Sequence, residues 1–173
     1  MILDMIIVPG VDPPDILRKT MNHCLSVASV PGVIFLISET MSGHFEGYRW
    51  LGWTLPEVGV AVIAVVCFLG HIPLSFWVDY VGTKKIRDYL SRNGQILERQ
   101  LMGALARLFR TSQLYRIHFL AVGTFTGLVD AAVARSSLGL VVYLTGQALL
   151  IYFLPWPARW ELWQTIRRKL ILD

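Results

Sequence analysis

The chain has 173 residues and a formal net charge of +4, with 54% apolar, 12% aromatic and only 16% charged residues. A soluble domain carries about a quarter charged residues, and a mean hydropathy of +0.53 leaves too few charges to clothe a surface in water. Lipid as the surrounding solvent satisfies both numbers, and the length suits one membrane domain over 1–173 rather than two domains.

The first ten residues are apolar up to Pro9-Gly10. They lack a positive n-region and a small-residue cleavage site, so they are expected to lie at the membrane surface rather than act as a signal peptide. A first span is expected over about 21–41. Its strictly apolar part, Cys24 to Ser38, is shorter than the ~20 residues a crossing needs and contains Pro31, so a re-entrant course stays open. Thr40 to Leu55 follows as an outer connection, with Tyr48, Trp50 and Trp53 suited either to an aromatic anchor at the interface or to a ligand cluster. The second span, about 56–78, carries nothing polar from Val58 to Leu69. Pro73 within it removes a backbone donor and predicts a kink.

A helical cytoplasmic segment is expected over 83–116, because Leu97, Leu101, Leu105 and Leu108 recur at helical spacing with Arg99, Arg107 and Arg110 away from the stripe. Asn93-Gly94 is expected to divide it. The third and fourth spans, about 117–134 and 138–156, are separated only by Arg135-Ser136-Ser137, which forces an antiparallel hairpin. Residues 157–173 form an amphipathic C-terminal helix, with Trp156, Trp160 and Trp163 on one face and a basic end at Arg167, Arg168 and Lys169. Both amphipathic segments can lie on anionic lipid headgroups, dock on one another, or dock on a partner.

Four crossings put every one of the 16 basic residues except Arg49 and Arg135 on one side. Positive charge near span ends stays cytoplasmic, so the expected architecture is all-α and polytopic, four transmembrane helices with both termini inside. A bacterial inner membrane is the expected location.

Intramembrane ionisable residues are the default functional candidates. His71 in the second span would suit a haem, a proton relay or a gate. His118 and His23 sit at inner edges and His44 lies outside, so none matches its depth, and a histidine bonded within a kinked helix is the plainer reading. Asp130, near the outer end of the third span, either snorkels or pairs with Arg135, or else lines a pore or meets a partner. Gly123 and Gly127 form a G-x-x-x-G, and Gly139 and Gly146 share a face of the fourth span. Such glycines let helices approach closely, within the chain or between copies. Cys24 and Cys67 lie in apolar runs with no C-x-x-C or Cys/His spacing, and are expected to be packing residues. No nucleotide-binding loop, nucleophile triad or zinc motif is present. No cofactor or metal is therefore expected, nor any catalytic residue. The basic middle segment is explained by its side of the membrane without nucleic acid.

The segment Gly127-Leu-Val-Asp130-Ala-Ala-Val133-Ala-Arg135 resembles a G-L-V-D-x-x-V-x-R stretch in inner-membrane proteins of integrating conjugative elements, which serve DNA-transfer, type IV secretion-like systems. The resemblance covers nine residues, and Ser136-Ser-Leu-Gly-Leu stands here where that family continues with G-R-E-S. It implies a non-enzymatic component that holds partners at the membrane. The leading expectation is thus a membrane assembly subunit, binding other membrane subunits or itself. A homo-oligomeric pore or membrane-disrupting effector is the first alternative, and an electron-transfer subunit the second.

Overall fold

The computed structural model describes residues 12–42, 54–93 and 98–172. Its regular elements are helices: α1 Pro13–Ser42, α2 Leu55–Asn93, α3 Glu98–Ala134, α4 Ser137–Tyr152 and α5 Pro157–Leu172. The surface element at 1–10, the outer connection with His44, Tyr48, Trp50 and Trp53, and Gly94 to Leu97 at the expected break lie outside the described residues.

Local chemistry accounts for where the helices start. Pro13 occupies the opening turn of α1, where its missing N–H costs nothing, and Asp15 pairs there with Arg18 at 3.1 Å and Lys19 at 2.7 Å. The Thr54 N–H donates to Glu57 at 2.6 Å, half of a capping box that closes the start of α2. Ser136 accepts from the Gly139 N–H at 3.2 Å and caps α4.

Helix α1 runs through Pro31 as one helix of 30 residues. Proline cannot donate to the Val27 carbonyl four residues back. One residue on, the Ala28 carbonyl takes a side-chain donor from α4: Gln147 Nε2 lies 2.8 Å away. Helix α2 passes Pro73 and continues to Asn93 over 39 residues, and α3 spans 37. The segment expected at 83–116 is therefore the prolongation of two long helices and not a separate element. Three helices, Pro13–Thr40, Leu55–Arg92 and Glu98–Ala134, are long and apolar enough to cross a membrane, and a fourth span appears when α4 and α5 are counted as one broken span. Helix α4 ends at Tyr152, short of the expected 156. Its 16 residues reach about 24 Å at 1.5 Å per residue, less than a hydrocarbon core. These helices suit a multi-pass membrane protein.

The chain divides into two compact units: Met1–Cys24 with Leu74–Tyr115 and Pro155–Asp173, and Leu25–Pro73 with Arg116–Leu154. In the first, Ile16 of α1, Val78 and Ile86 of α2, Leu101, Leu105, Leu108 and Phe109 of α3, and Trp160 and Ile171 of α5 make one core. Phe109 meets Trp160 and Trp163, each with ring centroids 5.3 Å apart. In the second, Phe35, Leu128 and Tyr143 cluster, with Phe35 stacked on Tyr143 at 4.7 Å.

The second unit buries many of its polar residues and exposes many of its large apolar ones. Glu39, Glu57, His71, Thr124, Ser136 and Ser137 are buried, while Leu36, Val66, Leu69 and Val133 are more than half exposed. Along α1 the buried line is Ala28, Pro31, Phe35 and Glu39, at helical spacing, and the exposed surface is mostly Leu, Val and Ile, with Ser29 and Thr40 bonded to carbonyls of their own helix. Water would reverse that sorting; hydrocarbon favours it.

Phe109→Ala removes the ring that joins α3 to α5. It is expected to cost about 3 kcal/mol or more and to open α5 to trypsin at Arg159 and Arg167 in detergent. Unchanged cleavage rates would contradict the packing described.

Candidate functional site

The buried face of α2 repeats as His71, Ser75, Asp79, Thr83 and Ile86, so Asp79 is carried inward by the same register that buries its apolar neighbours. Opposite stand Trp163 and Arg167, one turn apart on α5. The indole N–H of Trp163 donates to Asp79 Oδ2 at 3.2 Å, and the Arg167 guanidinium donates to the same oxygen at 3.1 Å. The pair is largely out of solvent, with the two side chains 7% and 16% exposed. Asp79 Oδ1 is buried without a hydrogen-bond partner among the described residues. The Arg167 guanidinium also lies over the Trp163 ring at 5.8 Å. Arg168 pairs with Glu98 at 2.7 Å, and Arg87 donates to the Leu170 carbonyl. Together these polar ties fasten α5 to α2 and α3. The cluster holds α5 in register against α2.

His71 is 2% exposed, and its ring meets Phe153 edge-on at 4.8 Å. Neither ring nitrogen has a hydrogen-bond partner among the described residues. Arg116 lies over the same Phe153 at 5.1 Å. No group of three His, Cys, Asp or Glu side chains suited to a metal occurs among the described residues.

Asp130 lies at the other end of α3. Fourteen residues separate it from Arg116, about 21 Å of helix, so His71 and Asp130 do not share a site. Its Oδ2 is buried without a hydrogen-bond partner among the described residues and faces Gly139, where an added Cβ would lie 2.7 Å from it. The nearby Arg135 guanidinium donates to Glu39 of α1 at 2.7 Å, and Glu39 is only 3% exposed. Arg135 has φ of +50°, a left-handed conformation unfavourable to a side chain with a Cβ. The tight link between α3 and α4 imposes it.

The four glycines are filled from within the chain. An added Cβ at Gly127 would come 2.7 Å from the Tyr143 nitrogen, and at Gly139 2.6 Å from the Ala131 nitrogen. At both positions α3 and α4 therefore touch backbone to backbone. Gly123 faces Phe68 of α2 at 2.7 Å, and Gly146 faces Phe68 at 2.8 Å and Thr124.

Asp79 is the residue that sequence reasoning passed over, since it stands at the end of an apolar run where an acid is unremarkable. Its signal was phase: it lies eight residues after His71, on the same face. No protein-family model matches the chain, and neither a curated protein nor a solved structure matches it.

Removing one member of a buried ion pair leaves the other charge stranded, at about 3–5 kcal/mol. Asp79→Ala is expected to cost that much in unfolding titrations in micelles, and Asp79→Leu with Arg167→Met to recover most of it. Additive losses in the double variant would contradict the coupling. Gly139→Leu is expected to drive α3 from α4 and to abolish a monodisperse peak in detergent, whereas Gly59→Leu, where an added Cβ meets nothing within 4 Å, leaves it intact.

Proposed function

We propose that this chain is a non-enzymatic subunit of an inner-membrane assembly. It crosses the bilayer four times with both termini inside, and it presents its basic helical unit to partner proteins on the cytoplasmic face. The observation that carries the reading is the membership of a single core. Ile16 near the start of the chain, Leu105 in the middle and Trp160 and Ile171 near its end pack together, which supports a reading in which all three regions share one side of the membrane. A chain that leaves that core after Cys24 and returns by Leu74, then leaves after Tyr115 and returns by Pro155, crosses an even number of times on each excursion. Two helical segments are available for each, and α4, with 16 residues, crosses where the bilayer thins to meet a short helix. The arginines and lysines of 84–116 and 159–169 favour the cytoplasm for that side.

The non-enzymatic part rests on the chemistry of the buried polar groups. Asp79, Glu39, Arg135 and Arg167 are spent on one another, and the polar side chains tie helices together. The resemblance of residues 127–135 to proteins of conjugative elements directs the choice of partner toward a DNA-transfer or secretion-type complex. In this chain Gly127 packs on α4 and Arg135 pairs with Glu39. A homo-oligomeric pore built through the same glycines would need faces that the chain's own helices occupy.

A reporter that fluoresces only in the cytoplasm is expected to be bright when fused to either terminus, and alkaline phosphatase fused after Arg49 is expected to be active. Opposite readings at the two termini would reject four crossings. Gentle detergent extraction from native membranes is expected to yield a particle larger than the 19.6 kDa chain, with a second protein in fixed ratio. A lone monomer under every mild extraction would reject the assembly role, and cation leak from liposomes holding the pure chain would favour the pore.

A further inference from the structure

Beside the Asp79 clamp, within the same unit, is a cavity of about 340 Å³ lined by Tyr80, Lys84, Arg87, Asp88, Arg167 and Leu170 among others. Three cations and one acid border it. Arg167 is held in place by Asp79, and Arg87 by the Leu170 carbonyl, so two of the three cations are positioned in advance and keep further N–H donors. Lys84 is exposed and has no carboxylate partner among the described residues. Phe76, Tyr80, Lys84 and Arg87 follow one another at spacings of four, four and three, which is one face of α2. Phe76 and Tyr80 on that face, with Trp77 beside them, are each more than half exposed. The face thus changes within two turns from aromatic to cationic, where the apolar run of α2 meets its first lysines.

We propose that this cavity binds the phosphate headgroup of an anionic phospholipid, with Lys84, Arg87 and Arg167 around the phosphate and the glycerol and upper acyl chain along Tyr80, Trp77 and Phe76. The arrangement matches a lipid because it pairs charge with an adjoining apolar ladder. Free phosphate would use the cations and leave the exposed aromatic rings without an occupant. The proposal deepens the membrane reading above and rests on it, since the ladder must stand in lipid with Lys84 at headgroup level. Bound lipid would also bridge α2 to α5, adding to the clamp from the solvent side.

The test is native mass spectrometry of the full chain in detergent, titrated with phosphatidylglycerol or phosphatidylcholine, with inorganic phosphate as competitor. Phosphatidylglycerol is expected to be retained in preference to phosphatidylcholine and not displaced by an equal concentration of inorganic phosphate. Each basic residue near a membrane surface contributes about fivefold, so Lys84→Gln is expected to weaken retention by about fivefold and Lys84→Gln with Arg87→Gln by about tenfold or more. Arg92→Gln with Arg110→Gln removes the same charge from exposed positions outside the cavity and is expected to stay within about twofold. Arg87 also ties down α5, so if the double variant loses its monodisperse peak, Lys84→Gln alone decides. Equal retention of the two lipids, displacement by inorganic phosphate, or an equal loss in the Arg92 and Arg110 variant would overturn the site. Reporters on the wrong side would instead reject the membrane topology, so the two failures are distinguishable.

Discussion

A hydrocarbon solvent offers no hydrogen bonds, so each polar group facing it must find a partner inside the protein. That constraint governs how this chain is built. It permits helices, whose backbone groups are satisfied within the element, and it sends side-chain polarity inward. Where α1, α3 and α4 pack, Glu39 meets Arg135, and the Gln147 amide meets the Ala28 carbonyl in the turn before Pro31. Thr124 and Thr126 donate back to the Leu120 and Val122 carbonyls of their own helix, a bond that satisfies each hydroxyl without a donor or acceptor from a second helix. The outer surface is then free to be Leu, Val and Ile.

The same constraint makes close approach valuable. Lipid supplies no hydrophobic drive between helices, so association relies on van der Waals fit and interhelical bonds. Gly127 and Gly139 bring α3 and α4 to backbone distance, and the link of Arg135 and Ser136 leaves them no choice but to run antiparallel. In the other unit burial of aromatic area does more of the holding. Phe109 packs against Trp160 and Trp163, and the Trp163 indole and the Arg167 guanidinium converge on one oxygen of Asp79. Rings, an ion pair and a carbonyl bond together fasten α5 within its unit.

Helices and their apolar faces were legible in the sequence because a run such as Val58 to Leu69 admits few other fates, and the two residues between α3 and α4 dictate a hairpin. Two boundaries were not legible. The second span was expected to end at Val78 and a separate helical segment to begin at Thr83, yet nothing at Lys84-Lys85 disfavours helix, and α2 runs on to Asn93, where Asn93-Gly94 was expected to divide the segment. Pro155 and Pro157 mark where the chain must turn, but α4 stops at Tyr152, before the prolines act. Among the candidate residues, the glycines could be read from spacing alone while their facing partners could not. Gly123 turned out to face α2 rather than α4. Asp79 escaped notice because burial of an acid depends on what another helix brings to it, and Trp163 and Arg167 lie 84 and 88 residues away in sequence.

The account stands on lipid covering the outward faces, and accessibility of single spin labels tests that most directly. With Cys24 and Cys67 replaced by alanine, labels at Val66, Val129 and Leu144 in bilayers should collide freely with oxygen and be shielded from a water-soluble nickel chelate, while a label at Arg92 shows the reverse. Nickel access at Val66 and Val129 equal to that at Arg92 would mean that water covers those faces, and the inside-out sorting would lose its cause.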